Sequence, residues 1–336
     1  MRRTITGMVQ GVAWLLLSIL PAWSMTPAAG LPPEIETFVQ DMVERHGFDR
    51  KALTKAFRAS TFQTGIIRAM DAPATALPWH EFRLRHIQDV RIENGLRFWA
   101  EHAALLERAA AEYQVPPEII VATLGIETLY GRRTGTVSVL DALTTLAFGY
   151  PRRAGFFRGE LEQFLLLARE TGWALNTARG SFAGAIGIPQ FLPGSYRRYA
   201  VDFDGDGRRD LNRVADAIGS VANYYRSFGW RAGGPVVAPV EIGEAPLDDL
   251  LAAGLEPHAT VAQFRQRGVI PLEPTMDDAT AALFAVEAET GPRYFLGFNN
   301  FYVITRYNRS INYAMVVQEL ATLLRLRRAQ ATTAGS

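Results

Sequence analysis

Cysteine is absent from this chain of 336 residues. That absence excludes disulfides, zinc thiolates, thiol nucleophiles and lipid attachment through a cysteine on chemical grounds alone. An excess of one charge is lacking as well, with 35 Lys+Arg against 34 Asp+Glu and a formal net charge of +1. Such a balance creates no field for nucleic acid, and the one short basic run, "RLRR" at 325–328, reads as a solvated helix end. The five histidines show no metal-ligand spacing. Long apolar runs are missing too: Val12 to Leu20 is shorter than the roughly 20 residues of a spanning helix.

Arg2 and Arg3 before that run, and Ala22-Trp23-Ser24 after it, make residues 1–24 read as a secretory signal peptide. Retention as an uncleaved anchor is the alternative, and Arg2-Arg3 alone is too short a match to a twin-arginine signal. The rest of the chain can bury a sizeable core, being 48% hydrophobic and 11% aromatic overall, and its length suggests two or three subdomains.

Ile35, Phe38, Val39, Met42 and Val43 recur at helical spacing, with Gly47 placed to end the helix and Asp49 to cap the next. Residues 71–80 read as a Pro/Ala loop. A long helical pattern runs from Asn94 to Tyr113, and Pro116-Pro117 restart the chain near the first helical position. From there to Phe228 the pattern stays helical, broken by Gly-rich turns at 131–135, 149–155 and 180–187. Composition shifts most sharply at 231–245, where Gly and Pro flank a β-like run. A Thr260/Gln263 capping box follows, then the strand patterns "ALFAVEA" and "RYFLGF", and a closing helix over Asn312 to Arg328. The expectation is a mainly α (α+β) protein with a small β insert.

Within "PPEIIVATLGIETLYG", Glu127 shares a helical stripe with Ile120, Thr123 and Leu124. It also lies in the last turn before Gly131, where the helix dipole disfavours negative charge. Desolvation and that field both raise a carboxyl's pKa, as a general acid requires. The bland alternative is a Glu that reaches solvent or pairs with Arg132 or Arg133. Two further segments offer neutral hydrogen-bonding groups and aromatic faces suited to a sugar. These are "SFAGAIGIPQFLPGSY" with Ser181 and Gln190, and "NNFYVITRYNRSINY" with Tyr302, Tyr307, Asn308 and Tyr313.

The motifs "GIETLYG", "GAIGIPQFLPGSYRRYAVDFDGDG", "DAIGSVANYY" and "NFYVITRYNRSINYAM" together closely resemble the lytic murein transglycosylase B family. The resemblance implies a lysozyme-like helical core with an EF-hand-like metal loop, a flanking helical subdomain and a small β insert. It also implies cleavage of the MurNAc-β-1,4-GlcNAc bond of peptidoglycan without water, leaving 1,6-anhydroMurNAc ends. Glu127 then becomes the single catalytic acid/base, and Ser181, Gln190, Tyr224, Tyr307, Asn308 and Tyr313 fall on positions lining the glycan groove. Phe82 stands where the family usually carries Tyr, which removes one hydroxyl. The expected domains are 31–95 (N-terminal helices), 96–230 (catalytic core with metal loop 202–216), 231–298 (mixed α/β) and 299–330 (C-terminal helices).

No catalytic cofactor is expected. The expected partner is the peptidoglycan strand, together with unidentified cell-wall proteins, and the expected compartment is the periplasm, in soluble form after leader cleavage. Ordinary glycosidases place two carboxylates about 5–5.5 Å apart when retaining and further apart when inverting. No second acid stands close to Glu127 in sequence, so assistance from the substrate's own 2-acetamido group fits the motif. The competing readings are a hydrolytic muramidase, distinguished by the mass of its product, and a calcium-dependent glycan-binding scaffold without catalysis.

The stretch "VDFDGDGRRDLNRVAD" opens like a calcium loop but carries Arg213 at the twelfth position, where a bidentate Glu is usual. An Asp/Gly turn is the bland reading. The resemblance implies a longer loop instead. Asp202, Asp204 and Asp206 offer side-chain oxygens, Gly207 the turn, Arg208 a backbone carbonyl and Asp216 the closing carboxylate, while the loop passes over Arg213. Structural Ca2+ is the expected ion, with Na+ as the alternative, and Met is too sparse for a sensor.

Overall fold

The computed structural model of the chain describes residues 30–71, 77–244 and 246–334, so the expected leader at 1–24 lies outside the described residues. Helix α1 (Pro33–His46) buries Ile35, Phe38, Val39 and Met42 and ends on Gly47 in the left-handed region, φ 65°. Asp49 accepts a hydrogen bond from Ala52 N and caps α2 (Arg50–Ala59). Helices α3 (Thr64–Asp71) and α4 (Trp79–His86) follow. The pattern expected as one helix from Asn94 to Tyr113 is two, α5 (Asp89–Glu101) and α6 (Ala103–Tyr113). His102 leaves helical geometry between them, at φ −119°, ψ 25°, with its ring edge-on to Phe98. Periodicity survives such a break, which is why the sequence does not reveal it.

Helix α7 (Pro117–Thr128) starts behind Pro116 and is the centre of the molecule. Residues 119–125 are all buried, because α5, α6, α11 and α15 pack around it. A helix enclosed on every side has no solvent face, so its stripe pattern carries little information. Strand β1 (Val137–Ser138) pairs antiparallel with β2 (Arg179–Gly180), a short ribbon within the stretch expected to be helical. Between them lie α8 (Val139–Gly149) and α9 (Ala154–Thr171). Helices α10 (Pro193–Tyr199) and α11 (Val214–Ser227) flank the Asp-rich loop.

The small β insert comprises β3 (Val237–Ile242), α12 (Asp248–Ala252), β4 (Ala259–Thr260), α13 (Val261–Gln266), β5 (Val269–Pro271), β6 (Thr280–Ala288) and β7 (Gly291–Phe298). Its strands form an antiparallel sheet in the order β4-β6-β7-β3-β5, and the Thr260/Gln263 capping box is formed. Helices α14 (Asn299–Tyr307) and α15 (Ile311–Ala334) return the chain to the centre. "RLRR" is mostly exposed but lies before the end of α15, and Arg328 covers the Trp99 ring at 4.6 Å. The insert has its own apolar cluster around Phe264, Leu283 and Leu296. The N-terminal helices instead share one continuous core with the middle of the chain and with α15.

Phe203 anchors the Asp-rich loop to this core. Its ring fills the space beside Gly219 of α11, where a Cβ would overlap it, and the Arg108 guanidinium of α6 lies over the ring at 3.7 Å. Alanine normally stabilises a helix interior relative to glycine by about 1 kcal/mol. Gly219→Ala should instead cost roughly 1–3 kcal/mol in urea or thermal unfolding, from overpacking against Phe203. A stabilised variant would show that the ring is not seated there.

Candidate active site

Glu127 occupies the last turn of α7, and the backbone reverses immediately after it. Leu129, Tyr130 and Gly131 are consecutive left-handed residues, with φ of 52°, 60° and 84°. Two of the three carry side chains, an uncommon conformation that persists only where the surroundings enforce it. The enforcing contacts are visible. Leu129 N donates to Gly125 O at 3.2 Å, and Tyr130 N to Leu124 O at 3.2 Å. The Thr128 hydroxyl donates to Ile188 O at 2.8 Å and accepts from Gly131 N at 3.0 Å.

Segment 186–191 is the second wall. Ile186 and Phe191 exchange backbone hydrogen bonds, and Ile188 N donates to Leu211 O at the far end of the Asp-rich loop, 2.8 Å. Gln190 is left-handed, φ 53°, and its side-chain Nε2 donates to Thr134 O and Gly187 O, at 3.0 and 2.8 Å. Both of those bonds go to backbone, so Gln190 braces the loop. The Ser181 Oγ accepts from Ala183 N and Ala185 N, 3.2 and 3.1 Å, which orders the Gly-rich turn while leaving its own proton out of those bonds.

The third wall is aromatic. Tyr313 of α15 donates its hydroxyl to Glu127 Oε1 at 2.6 Å. The Tyr307 ring stacks parallel to it, 11° between planes, and the Tyr307 hydroxyl donates to Pro189 O at 2.5 Å. Tyr224 packs on Tyr307 with centroids 4.8 Å apart and donates to Arg306 O at 2.6 Å. These hydroxyl protons are committed within the protein, so Tyr224 and Tyr307 present ring faces and lone pairs rather than free donors. Asn308 leaves α14 in extended geometry and, with Tyr224 and Tyr307, lines an open cavity of about 1270 Å³. Phe82 is 2% exposed, stacked on His86, and offers no polar atom.

Glu127 keeps some accessible surface, but its carboxyl is enclosed. Burial pushes its pKa up from 4.5 to about 7, against the opposing pull of the Tyr313 hydrogen bond. Tyr313 and Tyr307 are themselves pushed well above the usual phenol value, first by burial and then by the Glu127 charge. Tyr313 therefore stays protonated and can donate to Glu127 Oε1 in either protonation state of the carboxyl.

In the Asp-rich loop, Asp202 Oδ1 accepts from Gly205 N and Asp206 N, and its Oδ2 accepts from Gly207 N at 2.7 Å. Asp216 is fully buried and accepts from Phe203 N and Asp210 N, at 2.8 and 2.7 Å. Asp202, Asp204 and Asp216 bring carboxylate oxygens within 4.8 Å of one another. Asp206 does not join that group. It accepts from Arg208 N and, with Asp204, faces the Arg213 guanidinium at 3.7 and 3.6 Å. Arg213 is thus a cation turned toward the acidic loop. Sequence reasoning also missed Thr128, Tyr225 and Arg91. Tyr225 shares a buried hydrogen bond of 2.8 Å with Thr123, and Arg91 donates to Gly125 O. Thr128 borders Glu127 in sequence and could have been found; the others depend on distant partners.

The raised pKa of Glu127 gives a stability test. The folded state holds its proton up to about pH 7, whereas the unfolded chain releases it near 4.5, so stability falls between those values as pH rises. Glu127→Gln keeps the hydrogen-bond acceptor and removes the titration. By pH 8 the variant should be more stable than the parent by up to about 3 kcal/mol, at ~1.4 kcal/mol per pH unit, and the gap should close below pH 4.5. A gap that does not change with pH in thermal melts would contradict the buried acid.

The family model described as "Transglycosylase SLT domain" matches residues 31–322. The chain is similar to membrane-bound lytic murein transglycosylase B of Escherichia coli (strain K12), 42% identical over 308 residues covering 89% of this chain and 84% of that protein. Among solved structures it is similar to soluble lytic transglycosylase SltB1 from Pseudomonas aeruginosa. There the identity is 44% and the TM-score 0.82, over 88% of this chain and 100% of that one. Escherichia coli Slt35 in complex with calcium gives 40% identity and a TM-score of 0.80 over 88% and 94% of the two chains, and Slt35 has also been solved with bulgecin A.

Proposed function

This chain belongs to the transglycosylase SLT domain family and is a lytic murein transglycosylase, and we propose that Glu127 is its single acid/base. The observation carrying the proposal is the 2.6 Å bond from Tyr313 to a buried carboxyl whose pKa is about 7. A group with that value is protonated often enough to act as an acid and basic enough afterwards to take a proton. Glu127 gives its proton to the glycosidic oxygen between MurNAc and GlcNAc. The MurNAc 2-acetamido carbonyl holds C1 as the leaving sugar departs. The Glu127 carboxylate then removes the proton from the C6 hydroxyl, whose oxygen closes on C1. Glu127 ends protonated again, no water is consumed, and the product carries a 1,6-anhydro ring.

Ser181, Gln190, Tyr224, Tyr307 and Asn308 are proposed to line the glycan groove, with the tyrosines offering ring faces to sugar rings. Phe82 could contribute only apolar surface. The donors of Asp202, Asp204 and Asp216 suit a hard cation such as Ca2+, which takes six to eight oxygens, so they would hold it, with the Arg208 carbonyl and water completing the shell. Bound there, the ion would brace the loop and take no part in the chemistry. Among the described residues no helix is long and apolar enough to cross a membrane. Because murein lies outside the cytoplasmic membrane, the proposal places the enzyme in the periplasm after removal of residues 1–24, without a cysteine-linked anchor.

Glu127→Gln should release no anhydromuropeptides from purified sacculi while keeping its fold. Products of the parent enzyme should weigh one water less than hydrolytic muropeptides by mass spectrometry, and a hydrated product would make it a muramidase. Above pH 7 its kcat/KM should fall about tenfold per pH unit, as the acid form is lost. EDTA should lower the melting temperature and added Ca2+ restore it; a melting temperature unmoved by either would remove the ion from the account.

A further inference from the structure

We propose that Arg91 and Tyr130 form a lock that fixes the position of Glu127 at the groove, which makes both positioning residues for the reaction. The inference rests on the reading of Glu127 as acid/base.

Arg91 lies on α5, is only 8% exposed, and its hydrogen-bond partners are backbone carbonyls rather than a carboxylate. Its Nε donates to Gly125 O at 3.1 Å, and its Nη1 donates to Arg85 O at 3.3 Å and to His86 O. Those carbonyls belong to the C-terminal turns of two helices, α4 ending at His86 and α7 ending at Thr128. The C-terminus of a helix carries partial negative charge from unpaired carbonyls. Two such ends converge on one guanidinium, and their partial negative charge takes the place of a counter-ion for the buried cation. A planar fork can serve both ends at once, as a single ammonium cannot.

Tyr130 closes the arrangement from the other side. It is the second left-handed residue after the helix, and its hydroxyl donates to Arg91 O at 3.0 Å. Its ring stacks on Phe98, centroids 5.3 Å apart. The phenol end occupies a slot between Gly95 of α5 and Gly125 of α7. A Cβ added at Gly125 would lie 2.6 Å from Tyr130 Cζ, and one added at Gly95 3.1 Å from it. Hydrogen bonds therefore run in a circuit from Gly125 O to the Arg91 side chain, from Arg91 O to the Tyr130 hydroxyl, and from Tyr130 N to Leu124 O. Glu127 lies within the span 125–130 that this circuit pins at both ends.

The carboxyl's partner, Tyr313, comes from α15, an element outside the circuit. A shift of the α7 end relative to α15 would therefore change the distance from Glu127 to Tyr313 and to the substrate atoms together. Side chains lining the groove for the sugar need not move, so loss should fall on turnover rather than on binding.

The test compares Arg91→Met, Arg91→Lys and Gly125→Ala with the parent enzyme on a soluble muropeptide oligosaccharide, with the anhydro product followed by mass spectrometry. Each variant is first shown to be folded at the assay temperature by circular dichroism and its melting curve. Arg91→Met and Gly125→Ala should lose about ten- to a hundredfold in kcat with KM held within about twofold, the pattern of a misplaced catalytic group. Arg91→Lys, which keeps the charge but not the fork, should fall between them and the parent. Should Arg91→Met fail to fold, Arg91→Lys and Gly125→Ala decide the question. Unchanged kcat in these folded variants, or a loss that only follows the folded fraction, overturns the lock. A parent enzyme that releases no anhydro product overturns the reading of the site itself, an outcome separate from any difference among variants.

Discussion

Burial of the Glu127 carboxyl beside the Tyr313 hydroxyl sets two demands that work against each other. Removing water raises the carboxyl's pKa, while the phenol's hydrogen bond lowers it. The balance lies near neutrality only if the carboxyl stays enclosed and the phenol stays at 2.6 Å, and the central fold holds both in place. Helix α7 is enclosed on every side, so its axis has little freedom. Its end is turned back through three left-handed residues, and α15 crosses it to deliver Tyr313 from almost two hundred residues away in sequence.

The same economy of connection links the Asp-rich loop to Glu127. Asp216 organises the loop by accepting from Phe203 N and Asp210 N, and the next residue, Leu211, receives Ile188 N on its carbonyl. Ile188 O in turn receives the Thr128 hydroxyl, one residue from Glu127, and Pro189 O receives Tyr307. Bracing of the loop is thus transmitted toward Glu127 and toward Tyr307 through the six residues 186–191, which belong to no helix or strand. That segment holds its shape by internal bonds between Ile186 and Phe191 and from Gln190 to Gly187, while Ile188 N, Ile188 O and Pro189 O are answered from outside.

Much of the architecture was legible in the sequence because it depends on local rules. Gly47 and Asp49 end and begin helices by their own backbone and side-chain preferences, and the Thr260/Gln263 box needs only a three-residue spacing. The strands β6 and β7 carry a strong apolar pattern. What failed was equally physical. The break at His102 leaves the apolar period intact, and β1 and β2 have two residues each, too few to show any period. The lysozyme-like core, the site residues and the ion loop were named through motif resemblance, since composition and spacing alone left each with a bland alternative.

By itself the sequence determined which chemistries are closed to this protein and which residue types it brings to the site: no thiol, no histidine cluster, one carboxyl at the end of an apolar helix, and tyrosines and amides rather than charges. Only the tertiary structure decided the state of those groups. Glu127 is an acid with a pKa near neutrality because distant helices exclude water from it, and the hydroxyls of Tyr224 and Tyr307 are bound to backbone carbonyls they meet only in the folded chain. The Arg213 guanidinium faces Asp204 and Asp206, a pairing that only the folded loop creates. Desolvation and hydrogen-bond pairing are properties of what surrounds a group in three dimensions. A linear pattern specifies the group itself, and the environment that sets its proton affinity comes from the fold.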